Sequence, residues 1–183
     1  CIEEQQTTMQ AAVKPGLKIG LVSLAITYIA YFIDSTLLAS GWFGLVSLVI
    51  MVALIIYFGI QYRNEIGGFM TFGAAFNFSF ISMIISGIVG LIGMLLLYQV
   101  VDPSLPQVLA DEAFQTSLKT MESFGANPDS LPPAQLEEMR KATADGFTVM
   151  GQIKGFGFLL IFYAIVALIL GAILKKKDKS LDY

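Results

Sequence analysis

The hydroxyls Ser23, Thr27, Ser47, Ser79, Ser82 and Ser86, with Asn77 and Gln99, stand inside the apolar stretches of this chain. Side chains of this kind within a membrane either line a polar path or bind a headgroup, or they bond to their own helix and across packed helix seams. A nucleophilic serine needs an activating base. The sequence has no histidine, which removes the usual neutral-pH base and the commonest metal ligand together. Hydrogen bonding within helices and across seams is therefore the simpler reading of the hydroxyls.

Asp34 and Asp102 stand at the ends of apolar runs. A solvated end-marker is the simpler role for a carboxylate there. Neither has a histidine to pair with, so no catalytic residue, cofactor or metal ligand is assigned and the chain is not expected to be an enzyme. Glu65-Ile66-Gly67-Gly68 lacks the lysine of a phosphate loop and a preceding strand. Gly67 and Gly68 fit a tight turn that needs φ > 0. Phe69, Phe72 and Phe76, spaced three and four apart, make an aromatic face suited to a short interfacial helix.

The elements that must position these residues are membrane spans. Of 183 residues, 56% are hydrophobic, against about 45 to 50% in soluble domains. They gather in runs longer than the roughly 18 apolar residues that mark a span. Spans are expected over about 15–33, 43–62, 75–101 and 155–174. Cys1 to Val13 reads as a frayed tail, with Pro15 at the first helical position. Ala39-Ser40-Gly41 reads as a tight turn. The third span exceeds what the hydrocarbon core requires, so it must tilt, protrude or kink.

Small residues form stripes on three spans. Gly16, Gly20, Ser23, Thr27 and Ala30 step by four and three along the first; Ala75, Ser79, Ser82, Ser86, Gly90 and Gly93 do so along the third. Gly157, Ala164, Ala167 and Gly171 form a looser set on the fourth. Such stripes let helix backbones approach closely where lipid removes the hydrophobic drive for association.

Residues 102–154 are a different material, with eight Asp and Glu against four Lys and Arg. Leu109, Ala113, Leu118, Met121 and Phe124 share one helical face, and Leu136, Met139, Thr143, Phe147 and Met150 approximate another. The segment 125–133, with its Gly, Asn, Asp and three prolines, is a turn. An antiparallel helical hairpin over the span ends follows, too acidic to bind anionic lipid. Lys14, Lys18, Arg63 and four tail lysines lie on one side and four basic residues on the other. Positive-inside puts both termini and the elbow at Arg63, Glu65, Gly67 and Gly68 in the cytoplasm, with the hairpin outside. The fold class is thus all-α: a bundle of four transmembrane helices with an extracytoplasmic amphipathic hairpin between the third and fourth, in a single membrane domain.

A first-position cysteine fits a lipid-bearing N-terminus or the start of a fragment, and the charge pattern disfavours the first. The basic residues form no patch with aromatics, which argues against nucleic-acid binding.

The run from Gln61 through Arg63-Asn64-Glu65-Ile66-Gly67-Gly68-Phe69 to Phe76, the exit at Asp102-Pro103 and the lysine-rich tail resemble the domain-of-unknown-function 4199 family, small four-span membrane proteins of mainly Bacteroidetes-type bacteria. The resemblance covers nearly the whole chain. It implies an inner (cytoplasmic) membrane location and a long insert before the last span, and supplies no catalytic residues. Lipid is one expected partner, and other protein chains or a second copy are others. The expected role is a structural or accessory subunit of a membrane complex. A small transporter or channel using hydroxyls between the first and third spans is the alternative.

Overall fold

The computed structural model describes residues 2–181; Cys1, on which the lipidation reading rests, lies outside them. Six α-helices follow in order: α1 (Ile2–Ile33), α2 (Gly41–Glu65), α3 (Phe72–Leu96), α4 (Leu105–Ser123), α5 (Pro133–Gly146) and α6 (Val149–Leu174). α1, α2, α6 and α3 with its π-helical extension Leu97–Val101 are long and apolar enough to cross a membrane. Among the described residues no strand forms; Met70 and Lys176 make an isolated antiparallel bridge.

Three boundaries depart from the sequence expectation. α1 already begins at Ile2, so the polar start is helical and Pro15 lies inside the helix. Burial explains this: Thr8 and Ala12 are 1% and 0% exposed, and Ala12 packs in a cluster with Tyr62, Ala75 and Phe78. Glu3 and Glu4 also favour the positive end of the helix dipole, and tertiary packing outweighs the cost of one missing amide donor. Between α1 and α2 a 3-10 turn, Ser35–Ala39, replaces the tight turn at Ala39-Ser40-Gly41. Among the described residues no short helix stands between the elbow and α3, and Phe72 and Phe76 ride on the first turns of α3.

The described chain forms two compact units. The first comprises residues up to Ala25, Val46–Gly90 and Gly157 onward. In it α1 meets α3 with no space between: a Cβ on Gly16 would stand 2.8 Å from Ile85 Cβ, and one on Gly20 2.7 Å from Val89 Cβ. α2 and α6 approach similarly, since a Cβ on Gly59 would lie 2.6 Å from Leu174 Cδ1. Gly171 faces the Phe72 ring, with 3.0 Å available to a Cβ. The Tyr62 and Phe78 rings stack at 5.2 Å between centroids.

The elbow closes α2 with two left-handed glycines, Gly67 at φ 103° and Gly68 at φ 88°. The Gly68 amide donates to the Arg63 carbonyl at 2.8 Å and the Gly67 amide to Asn64 at 3.3 Å, which together cap the helix C-terminus. Arg63 then donates through Nη1 to the Leu174 carbonyl at 2.8 Å and caps α6 as well. Met70 and Lys176 exchange backbone hydrogen bonds of 3.0 and 2.8 Å beside it.

The second unit comprises Ile26–Leu45 and Leu91–Phe156. α4 and α5 pair within it, with Phe114 buried and the Arg140 guanidinium 5.1 Å from its ring centroid. Leu97, Tyr98, Leu105 and Leu109 form its core, with Tyr28, Tyr31 and Phe147 packed against them.

Glycine is required at position 20 by contact with a β-branched side chain. Gly20→Ala should therefore destabilise the protein by about 1–3 kcal/mol through overpacking. Gly90, whose Cβ would meet open space, should tolerate alanine with a change within about 0.5 kcal/mol or a slight gain in helix propensity. Thermal unfolding in mild detergent, followed by circular dichroism, separates the two.

Candidate functional site

The long third span ends in a π-helical turn at Leu97–Val101. Such turns are rare and gather at functional sites. Its closing bond runs from the Asp102 amide to the Leu97 carbonyl at 2.8 Å. Asp102 also holds the surrounding chain. Its Oδ1 accepts from the Ser104 amide at 3.1 Å and the Ser104 hydroxyl at 2.6 Å, turning the backbone at Pro103 into α4. Its Oδ2 accepts from the Tyr31 hydroxyl at 3.0 Å. One turn earlier on α1, Tyr28 donates to the Gly93 carbonyl at 2.8 Å. Two tyrosines of α1 thus fasten the end of the third span.

The same carboxylate arrangement recurs at Asp34, whose Oδ1 accepts from the Thr36 amide and hydroxyl at 3.0 and 2.7 Å. Hydrogen bonds from Ser104, then Tyr31, hold the Asp102 carboxyl below its ordinary value, and those from Thr36 do the same for Asp34. The expected end-markers are therefore turn-builders, and Asp102 is in addition a tie between segments.

Tyr98 on the π turn is 2% exposed and its hydroxyl has no hydrogen-bond partner. It walls a cavity of about 360 Å³. Gln99 flanks it, Pro106, Gln107 and Ala110 of α4 form a second wall, and the passage from α5 into α6 supplies a third with Asp145, Phe147 and Thr148. That passage is built closely. The Thr148 hydroxyl donates to the Asp145 carbonyl at 2.7 Å and accepts from the Gly151 amide at 3.0 Å, capping α6. Gln152 Nε2 reaches the Gly146 carbonyl at 3.0 Å. A Cβ on Gly151 would collide with the Asp145 carbonyl. The helical face expected to run from Leu136 through Met150 breaks here, because Gly146 ends one helix and Thr148 caps the next.

A larger cavity of about 560 Å³ lies in the first unit, walled by Tyr62, Phe69, Met70 and Thr71 with Thr8 and Lys176. Its rim mixes Glu4 and Asp178 with Lys177, so no one charge prevails.

The small residues singled out in the sequence fall in several places. Gly16 and Gly20 are in the α1–α3 contact. Ser79, Ser82 and Ser86 are buried; Ser82 donates to the Ala12 carbonyl at 3.4 Å, whereas the Ser79 hydroxyl has no partner. Ser23 and Thr27 are half-buried and engaged. Ala30, Gly93, Ala167 and Gly171 are buried, Ala164 and Gly90 half-buried, and Gly157 exposed. Of the elbow residues, Glu65 is exposed and Phe69 lies under the Lys176 ammonium, 5.9 Å from the ring centroid. Phe76 stacks between Phe72 and Phe80. Sequence reading missed Tyr98, Asp145 and Gly151. The signal for the last was a Gly-x-Thr-x-x-Gly spacing over 146–151 that a helical period conceals.

A buried hydroxyl without a partner costs about 1–3 kcal/mol. Tyr98→Phe should match the wild type in stability or exceed it by about 1 kcal/mol in chemical denaturation. Asp102→Asn should lower the melting temperature at neutral pH. The lowered folded-state pKa makes the carboxylate's contribution complete above 3.8 and lost as pH falls through the folded value. The gap between variant and wild type should accordingly narrow in melts below that pH.

No curated protein and no solved structure matches the chain. A family model described as "Protein of unknown function (DUF4199)" matches residues 14–176, a match that takes in α1 from Lys14 onward, the other three apolar helices, the elbow and the π turn beside the smaller cavity, and the chain belongs to that family.

Proposed function

We propose that this integral membrane protein acts as a non-catalytic structural or accessory subunit of a membrane complex in the bacterial cytoplasmic membrane. The observation that carries the reading is the closed contact of α1 with α3, where glycine meets Ile85 and Val89 below van der Waals distance for any added Cβ. A contact of this kind serves cohesion and leaves no width for a solute. Buried Ser82 supports the same reading by donating to a helix carbonyl. A hydroxyl-lined transport route between these helices draws no support from that packing.

Cytoplasmic termini and elbow, with the α4–α5 hairpin outside, complete the proposal. It rests on seven of eleven basic residues falling in Lys14, Lys18, Arg63 and the tail. Outward-facing Phe32, Val49, Ile92, Phe158 and Ile169, each more than half exposed, supply surface for lipid and for neighbouring helices.

Native membranes solubilised in mild detergent should yield the tagged protein in a stable complex or homo-oligomer, seen by crosslinking and native mass spectrometry. A strictly monomeric species without partners would sink the accessory reading. In a background with Cys1 replaced by serine, Glu138→Cys should react with an impermeant thiol reagent added to intact cells and Asn64→Cys should not. The reverse pattern would invert the orientation.

A further inference from the structure

We infer that the larger cavity, at the elbow of the first unit, seats the headgroup of an aminophospholipid, with its phosphate on two lysines and its ammonium on two carboxylates. The cavity is built from the start of α1, the end of α2, the elbow with the start of α3, and the chain that leaves α6. All of these belong to one compact unit. Its volume of about 560 Å³ falls in the range of small-molecule sites, about 300–1,000 Å³. The ends of three spans meet here, at the depth where a bilayer places its headgroups. Lipid is the one molecule always present at that depth.

The walls change outward in the order in which a phospholipid changes. Tyr62, Met70 and Ala74 are the buried part of the lining. Ile66 and Phe69 beside them are exposed, a surface suited to the glycerol end and the first carbons of the chains. Lys176, whose backbone pairs with that of Met70, and Lys177 come next, just past the last residue of α6. Asp178 lies further along the departing chain, and Glu4 stands one helical turn, about 6 Å, beyond Thr8 on α1. Apolar wall, cations and carboxylates thus follow one another as chain, phosphate and ammonium do.

These charges are not spent on one another. Among the described residues no ion pair joins Glu4 or Asp178 to Lys176 or Lys177. Asp178 accepts from the Ser180 amide and hydroxyl through Oδ1 at 2.9 and 2.5 Å, which leaves Oδ2 for a ligand. The positive end of α3 supports the phosphate. Thr71, just before that helix, accepts the Ala74 amide at 3.2 Å through Oγ1 and keeps its hydroxyl hydrogen to donate. A purely anionic headgroup would be opposed by Glu4 and Asp178, whereas a primary ammonium brings three N–H donors to them. The site stands or falls apart from the accessory role, because lipid binding needs no second protein.

The full chain, purified in mild detergent and stripped of lipid, is titrated with dioleoyl phosphatidylethanolamine and followed by native mass spectrometry, with phosphatidylglycerol of the same chains as the comparison. One saturable phosphatidylethanolamine site is expected, about tenfold or more tighter than phosphatidylglycerol. Glu4→Gln combined with Asp178→Asn should cut that preference to about twofold or less, and Lys176→Gln combined with Lys177→Gln should weaken phosphatidylethanolamine about tenfold. Both double variants should keep the wild-type melting temperature within a few degrees. Glu137→Gln combined with Lys141→Gln, on α5, should bind lipid as the wild type does. Absence of a saturable site overturns the inference, as does phosphatidylglycerol binding as tightly as phosphatidylethanolamine. So does unchanged binding in either double variant of the cavity, or an equal loss in the α5 pair.

Discussion

Backbone groups at the end of a membrane helix have no water to turn to once they lie at hydrocarbon depth. Each exit from a span in this protein answers that constraint with a particular residue. Asp34 receives the amide that starts the 3-10 turn after α1. Gly67 and Gly68 bend the chain so that two amides cover α2's last carbonyls. Arg63 reaches across to the Leu174 carbonyl at the end of α6. Asp102 does most, since its amide closes the π turn while its carboxylate gathers Ser104 and Tyr31. The charged and glycine residues at the span ends are therefore fixed points of the fold.

Much of this is legible in the sequence. Four apolar runs give four span-length helices because length and composition alone decide that question in lipid. The left-handed glycines of the elbow follow from their place between two runs. What escapes is whatever depends on contacts distant in sequence. The helical start of α1 could not be read, because Thr8 and Ala12 are ordered by partners more than fifty residues away. Gly59 was not selected as a packing residue, since its match is Leu174. Gly157 carried the right spacing but stands exposed. Spacing can nominate a helix face without saying what lies opposite.

The smaller cavity was hidden for a different reason. Its walls come from a π turn, one face of α4 and an interhelical joint, and each follows a different period. Tyr98 reads as an interfacial aromatic of ordinary kind, and Asp145 as one acid in an acidic insert. Their significance comes from being walls of one space. The chemistry legible in the sequence, a chain without histidine and with no assigned acid–base pair, bears on catalysis. It says little about recognition, which needs no acid–base pair.

A π turn is an α-helix that has accommodated one residue too many. Each residue advances an α-helix by about 100°, so the chain beyond Leu97 leaves the phase set by the Ser79-to-Gly93 stripe. Removing a single residue from 97–101 would restore an uninterrupted α-helix and carry Tyr98's neighbours about a quarter-turn around the axis. The register of the residues that follow Leu97 is in this sense encoded as an insertion. A change of length by one residue there outweighs most changes of residue type.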